Sequence, residues 1–176
     1  RLGMKLLDVG CGRGEKAMFL GSKGVDAYGI DYSETALQIG RELFTFYDEE
    51  RLKNIHLIKG DVTELPFDDG YFDRVMSWSV LEHIYPWQQE ILFSEIFRIL
   101  KPDGAFVFET HPCEWFERIG QPIVKPFKQL FLGRNMEDHE EREAINPEHV
   151  ALKNPVTLRR DLRRAGFACR VRLAKR

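Results

Sequence analysis

Hydrophobic and polar positions follow two alternating patterns along the chain. Short apolar runs bounded by turn residues predict buried β-strands, and longer stretches with apolar residues at helical spacing predict amphipathic helices. The runs predict strands at 4–9, 25–31, 55–61, 72–79 and 105–110, with the tail 168–176 as a sixth. The helical stretches are 15–23, 34–47, 88–100 and 157–167. Ser33 directly precedes the second helical stretch and is predicted to cap its N-terminus.

Strands that alternate with helices predict an α/β fold, a Rossmann-like, doubly wound and mainly parallel sheet with helices on both faces. In such sheets, ligands bind outside the carboxyl ends of the strands. Five places follow directly after predicted strands and are where chemistry is expected: 8–14, Asp31, Asp61, 77–83 and 109–111. The 176 residues fit one domain with a sizeable core, so we treat 1–176 as a single domain.

The segment 111–152 interrupts this alternation. It is rich in proline and aromatic residues and carries the acidic run EDHEEREA. Structureless connections of this length are rare in compact domains, so we expect an insertion after strand five that forms an acceptor pocket or lid. Within it, 115–134 combines basic and aromatic residues and suits contact with a membrane surface or a lipid substrate. The alternative is a structural helix pair whose aromatic side chains pack on the sheet.

Composition excludes some classes of function. A net charge of −2 and a pI of about 6.3 argue against a general nucleic-acid binder, which would carry a basic excess. Three widely spaced cysteines form neither a CxxC pair nor a disulfide framework, so a cytoplasmic location is expected. No apolar run is long enough to span a bilayer, and no signal peptide precedes the first strand. Either the chain is a fragment of a longer protein, or elements that cover the sheet come from elsewhere, for example from the partner subunit of a homo-oligomer.

The stretch LLDVGCGRGEKA is the most informative part of the chain. Glycines stand at every second position, at Gly10, Gly12 and Gly14, directly after the first strand. A dinucleotide-binding loop needs G-x-G-x-x-G, and Glu15 occupies the place of its third glycine. An acidic residue at the start of the helix suits a pyrophosphate badly. The loop therefore favours a ligand that has no phosphate and carries a positive charge.

The run DVGCGRG resembles motif I of the class I S-adenosylmethionine-dependent methyltransferases. Further stretches resemble later landmarks of that family in the same order: YGIDYS, KGDVTELPF, FDRVMSWSVLEHI, LKPDG and LRRAGF. The chain is most similar to the small-molecule, methyltransferase type 11-like branch. This resemblance implies S-adenosyl-L-methionine as cofactor and transfer of its methyl group to O or N of a small-molecule or lipid-like acceptor.

The resemblance also implies a set of cofactor-binding residues at the strand ends: Asp8, Gly10, Cys11, Gly12, Asp31, Tyr32, Asp61, Val62 and Ser77. In this assignment the glycine loop and Asp8 face the methionine part of the cofactor, Ser77 or its backbone touches it, and the Cys11 thiol only packs in the turn. Asp31 accepts hydrogen bonds from both ribose hydroxyls, and Tyr32 lies against the adenine face. Asp61 accepts from the adenine amino group, while the Val62 amide donates to a ring nitrogen. The alternative for each aspartate is a turn cap at a strand end.

Three residues are candidates for a general base, should the acceptor need one: Glu82, His83 and His111. Glu82 and His83 follow strand four, and His111 follows strand five, on the same rim of the sheet. The alternative is that the Glu-His pair is structural. Some related quinone-biosynthesis enzymes carry E-x-x-E-H here with a metal, but Ser79 stands in place of the first Glu. We therefore predict no metal site.

Other functions remain as alternatives. A dinucleotide-dependent oxidoreductase is disfavoured by Glu15, and a methyltransferase of nucleic acid or protein is disfavoured because S-W-S-V replaces the N-P-P-Y type of tetrapeptide. A non-catalytic methyltransferase-fold protein that serves in binding or as a scaffold is the main alternative. The chain also provides six predicted strands where the full family sheet has seven.

Overall fold

The computed structural model describes residues 3–47, 52–110 and 153–169. The described strands are β1 Lys5–Val9, β2 Asp26–Asp31, β3 Ile55–Lys59, β4 Phe72–Trp78 and β5 Leu100–Glu109. The helices are α1 Glu15–Gly21, α2 Glu34–Phe44, α3 Pro86–Ile99 and α4 Pro155–Arg164, and Leu81–His83 forms one 3₁₀ turn. The five strands form a single parallel sheet in the order β3-β2-β1-β4-β5. The predicted α/β class, with a doubly wound parallel sheet, is confirmed.

Strand β1 lies at the centre of the sheet and supplies apolar side chains to both faces. Leu7 and Val9 belong to the larger core, which α3 and α4 cover with a set of buried residues: Leu92, Phe93, Ile96, Ile99, Leu158 and Leu162. Leu6 points to the opposite face and packs with Ala17 of α1. Helix α2 covers the same face as α1, where Phe44 lies near Leu57 of β3. The helices therefore cover both faces of the sheet.

The order of the strands fixes where a ligand site can form. The chain builds outward from β1 to β2 and β3, and then crosses back to place β4 on the other side of β1. At this reversal the connections leave β1 and β4 in opposite directions, which opens a crevice at their carboxyl ends. The glycine loop follows β1 and the residues 79–83 follow β4, so both candidate segments border this crevice.

Some predicted boundaries differ from the structure. Strand β5 begins at Leu100, five residues before the predicted strand 105–110, so the turn-like residues KPDG lie inside it. The ladder is irregular there: Phe72 pairs with Leu100, whereas Arg74 pairs with Ala105. The extra residues bulge out of the ladder, so a turn-like sequence stays within a strand. Helix α2 ends at Phe44, and α3 begins earlier than predicted, at Pro86, because proline fits the first turn of a helix.

Two predicted features lie largely or wholly outside the described residues. Ala168 and Cys169, the first residues of the predicted sixth strand, belong to no strand, and 170–176 lies outside the described part. The predicted insertion 111–152 is outside it as well. Both therefore stay predictions.

Helix α2 and the glycine loop approach each other at Gly40. A β-carbon placed on Gly40 would overlap the carbonyl oxygen of Arg13 and come within 2.9 Å of its carbonyl carbon. Because both partners are main chain, neither has a flexible end that can move aside. The small residue therefore lets the helix pack directly on the loop that it helps to hold.

We expect Gly40→Ala to destabilise the protein by about 2 kcal/mol, because the added methyl group overpacks the contact with Arg13. Intrinsic helix propensity alone predicts the opposite sign, a gain of about 1 kcal/mol for alanine. Urea unfolding followed by circular dichroism measures the difference. Gln38→Ala, at an exposed position of the same helix, is the control and should be near neutral. A more stable Gly40→Ala variant would contradict the packing argument.

Candidate active site

The glycine loop is fastened to the end of β2 through its main chain. The amides of Gly10 and Cys11 both donate to the carbonyl oxygen of Ile30, at 2.8 and 3.1 Å. The Gly14 amide donates to the Cys11 carbonyl at 2.9 Å, which closes the turn before α1. The loop is thus a fixed platform beside the crevice between β1 and β4.

The three glycines have different reasons for lacking a side chain. Their φ angles are +71° at Gly10, +57° at Gly12 and +80° at Gly14, in the left-handed region that other residues rarely adopt. A β-carbon at Gly10 would overlap Val80, and one at Gly14 would lie 2.6 Å from Cδ2 of Leu57. A β-carbon at Gly12 would meet nothing within 4 Å. Gly10 and Gly14 therefore permit packing, while the main chain at Gly12 faces open space where a ligand can approach.

Asp31 joins the loop to the start of α2. Its Oδ2 accepts from the Gly12 amide at 2.7 Å, and its Oδ1 accepts from the Ser33 amide at 2.9 Å. Ser33 caps α2 as predicted, because its hydroxyl accepts from the Ala36 amide at 3.2 Å. Each carboxylate oxygen of Asp31 still has capacity for a second donor. The arrangement is compatible with the predicted ribose contact and adds a bracing role that the sequence did not indicate.

The predicted adenine contacts lie on the next strand end. Asp61 Oδ1 accepts from the Thr63 hydroxyl at 2.6 Å and from the Thr63 amide at 2.8 Å. These two hydrogen bonds lower the pKa of Asp61, so the carboxylate is ionised at neutral pH. Val62 is partly buried against the main core, while Tyr32 is 81% exposed. Asp61 therefore forms the turn cap of the alternative interpretation, and its Oδ2 remains available to a donor from a ligand.

Two buried polar side chains, Asp8 and Ser77, lack partners in the described part of the chain. Asp8 is 1% exposed and Ser77 is fully buried, yet neither carboxylate oxygen nor the hydroxyl has a hydrogen-bond partner there. Burial raises the pKa of Asp8 to about 6, with Lys16 acting against the shift and Asp31 adding to it. Unpartnered buried polar groups cost free energy, and a ligand that supplies the missing partners recovers it.

Asp8 and Ser77 were both assigned to the methionine part of a cofactor, but their side chains leave the sheet on different faces. The register pairs Asp8 with Met76 and Val9 with Ser77. Paired residues of a sheet point to the same face, and neighbours along a strand point to opposite faces. The structure thus places both residues at the crevice without bringing their side chains together.

The candidates for a general base have different surroundings. Glu82 is fully buried, and its Oε2 accepts from the Thr110 hydroxyl at 2.9 Å. His83 is exposed at the end of the 3₁₀ turn, and His111 lies outside the described residues. The Glu82 contact ties the segment after β4 to the end of β5, which favours the structural interpretation for Glu82. Catalysis by His83 or His111 stays a prediction.

Sequence reasoning missed three residues that shape this rim. Ser79 has a φ of +54°, alone among the described non-glycine residues, and its amide donates to the Glu109 carbonyl at 3.0 Å. Val80 closes over Gly10. Gln89 is buried in α3, and its Nε2 donates to the Leu81 carbonyl at 2.6 Å, which holds the 3₁₀ turn. Gln89 could have been found, because it is a polar residue on the apolar stripe of α3. The left-handed backbone conformation of Ser79 has no signal in a single sequence.

The described residues contain neither a cluster of metal ligands nor a helix that could span a membrane. No group of three or more metal-ligating side chains occurs within 3–47, 52–110 and 153–169. None of the helices in the same ranges is long and apolar enough to cross a membrane.

Comparison with known proteins gives one family. The model of the methyltransferase domain matches residues 7–108. A demethylmenaquinone methyltransferase of Staphylococcus aureus (strain MRSA252) is 36% identical over 136 residues, which are 74% of this chain and 49% of that protein. The chain therefore spans about half the length of this relative.

Solved structures share the fold. Phosphoethanolamine N-methyltransferase 2 of Haemonchus contortus, in complex with S-adenosyl-L-methionine, aligns with a TM-score of 0.70 at 24% identity. The alignment covers 95% of this chain and 34% of that one. The PH0226 protein of Pyrococcus horikoshii OT3 aligns with a TM-score of 0.57 at 31% identity, over 69% of this chain and 55% of that one.

Because Asp8 is buried, we expect the free energy of unfolding of the ligand-free protein to depend on pH in an unusual way. Its pKa rises from an ordinary 3.8 to about 6 on folding. Between these values the unfolded chain has released the proton and the folded chain retains it, so stability falls as pH rises through this window. Asp8→Asn removes the titration. Its stability relative to the unchanged protein should therefore rise between about pH 4 and pH 6, by up to about 3 kcal/mol, and then level off.

Urea unfolding of both proteins across this pH range measures that difference. Asp68→Asn, which changes an exposed carboxylate, is the matched control. A difference between Asp8→Asn and the unchanged protein that stays constant from pH 4 to pH 7 would contradict the burial argument.

Proposed function

The chain belongs to the methyltransferase domain family, and from this we propose that it binds S-adenosyl-L-methionine at the ends of β1, β2 and β3 and transfers the methyl group to a small-molecule or lipid-like acceptor. The observation that carries the proposal is the link from Asp31 Oδ2 to the Gly12 amide, 2.7 Å long, beside open space at Gly12. This link holds the Asp31 carboxylate, to which we assign the ribose hydroxyls, next to a main chain that a ligand can approach, and it thereby supports the proposal.

The charges at the crevice support a cationic ligand over a dinucleotide. Helix α1 begins with Glu15, which forms an ion pair with Arg13 at 2.6 Å, so the place where a pyrophosphate would lie already holds a carboxylate. Asp8, in β1 just before the loop, adds a buried carboxylate that has no partner among the described residues. A sulfonium ion and an ammonium group suit this environment better than phosphates do.

In this proposal the chain's own residues act mainly by holding the cofactor and the acceptor in position. When bound, the cofactor supplies an electrophilic methyl group on a sulfonium sulfur. Asp31 would hold the ribose, Asp61 and the Val62 amide would hold the adenine edge, and the glycine loop would face the methionine part. Glu82 and Gln89 hold the segment after β4 in place at the crevice. Fixing both reactants in line supplies much of the acceleration that a methyl transfer needs.

The acceptor side of the proposal rests on the relatives. Two relatives at 35–36% identity are named demethylmenaquinone methyltransferase, which supports a small, lipid-like acceptor for this chain. The pocket or lid in 111–152, lipid contact through 115–134, assembly as a homo-oligomer and the absence of general nucleic-acid binding all remain predictions. So does the atom that receives the methyl group. The cysteine pattern supports a cytoplasmic location.

We expect Asp31→Asn to weaken binding of S-adenosylhomocysteine by about 10- to 100-fold, the range for hydrogen bonds to a charged group. The amide keeps one acceptor oxygen, but its NH₂ group faces an amide N–H of Gly12 or Ser33 and cannot accept a ribose hydroxyl. Isothermal titration calorimetry measures the dissociation constant. Asp26→Asn, at the opposite end of β2, is the matched control and should bind as the unchanged protein does.

Three results would count against the proposal. Equal affinity of Asp31→Asn and the unchanged protein would remove the assigned ribose contact. Binding of NAD without binding of S-adenosylmethionine would favour the oxidoreductase alternative. Cofactor binding without methyl transfer to any quinol, phenol or amine acceptor would favour a non-catalytic binding protein.

A further inference from the structure

The guanidinium group of Arg98, in the last turn of α3, uses all five of its N–H donors. Nε and Nη2 donate to the Glu95 carboxylate at 2.9 and 2.8 Å, one bond to each oxygen. Nη1 donates to the Phe67 carbonyl at 2.7 Å and to Asp69 Oδ1 at 2.9 Å. The second Nη2 hydrogen goes to the Leu65 carbonyl at 3.0 Å. Only a planar fork with five donors can serve all these acceptors at once.

These contacts attach the segment between β3 and β4 to α3. Glu95 Oε2 also accepts from the Leu65 amide at 3.0 Å, so the same ion pair satisfies both main-chain groups of Leu65. The Gly70 amide donates to the carbonyl of Arg98 itself at 2.9 Å. The segment lies outside regular secondary structure, and α3 takes over the hydrogen bonding that a strand or helix would provide.

The same segment carries the residues proposed to contact adenine. At its start, the Gly60 amide donates to the Asp31 carbonyl at 3.0 Å. The turn that begins at Asp61 then closes when the Glu64 amide donates to the Asp61 carbonyl at 3.3 Å, directly before Leu65. The adenine-binding turn therefore lies between two anchors, one on β2 and one on α3.

We propose that Arg98 and Glu95 are positioning residues for purine recognition: they hold Asp61 and Val62 where they distinguish the amino edge of adenine from other bases. The inference rests on the proposed cofactor site. Asp61 Oδ2 offers an acceptor and the Val62 amide a donor, and adenine presents the complementary amino group and ring nitrogen. If the anchor on α3 is lost, the turn keeps its internal hydrogen bonds to Thr63 and the bond from Gly60 to β2, but its other end, at Leu65, is no longer held.

The deaminated analogue S-inosylhomocysteine provides a readout that a general loss of stability would not move. Its base carries a carbonyl in place of the amino group and an N–H in place of the ring acceptor, so both contacts of the turn become repulsive. We expect the unchanged protein to prefer S-adenosylhomocysteine over this analogue by at least about 10-fold. The ratio of the two dissociation constants measures how well the turn is positioned.

Arg98→Lys tests the inference, since it keeps the positive charge and removes the fork. We expect the variant to bind S-adenosylhomocysteine several-fold more weakly and the analogue almost unchanged, so that the ratio falls towards one. Arg41→Lys is the matched control, because Arg41 also donates from a helix to a carboxylate and to a main-chain carbonyl, those of Glu34 and Leu57. Its ratio should equal that of the unchanged protein.

Glu95→Gln is a second variant, in case Arg98→Lys does not fold. Its amide oxygen can still accept from the Leu65 amide, so an intermediate ratio is expected. Equal weakening of both ligands, with the ratio retained, would overturn the positioning role and leave Arg98 a purely structural residue. A ratio near one in the unchanged protein would also overturn it, while the cofactor site would stand. Failure of the unchanged protein to bind either ligand would overturn the proposed function and this inference together.

Discussion

The carboxylate of Asp31 is the contact on which the candidate site depends. Strands that end side by side leave main-chain amides without ladder partners, and each of these groups needs an acceptor. Asp31 accepts one amide from the glycine loop and one from the start of α2, while its carbonyl accepts from Gly60 after β3. One residue thus joins the segments that follow β1, β2 and β3. A ligand that binds at this point meets surfaces whose relative positions are already fixed.

The architecture could be predicted from the sequence because its signals are local. Strands β1, β2 and β3 are apolar runs with a glycine or aspartate at or directly after their carboxyl ends, and Ser33 marks the start of α2 by its chemistry alone. Boundaries were less accurate where a long-range contact decides them. The turn-like residues after Leu100 stay within β5 because the edge of β4 continues to pair with that strand beyond them. No local pattern indicates such a pairing.

The sequence was enough to predict which residues form the candidate site, but not which contacts each of them makes. The acidic strand ends Asp8, Asp31 and Asp61 could be found from the motifs, but their different states could not. Asp31 is braced by two amides, Asp61 is ionised in its own turn, and Asp8 is buried with no partner in the part of the chain that the structure describes. These differences come from which neighbours the fold brings close. Arg98 carries no motif in the sequence, and its role follows only from acceptors about thirty residues away along the chain.

The family match ends between the residues proposed to hold the cofactor and the segment predicted to bind the acceptor. The match covers residues 7–108 and ends one residue before the end of β5, so it contains the glycine loop, Asp31, the Asp61 turn and Glu82. All the residues proposed to hold the cofactor lie inside it, whereas the predicted acceptor segment 111–152 lies beyond it. The proposal that the chain binds the cofactor is therefore supported by its own residues, whereas the proposal about the acceptor is supported by the names of relatives. When a rigid sheet holds the cofactor, a change in a single insertion is enough to alter which acceptor binds. One scaffold can therefore serve many acceptors.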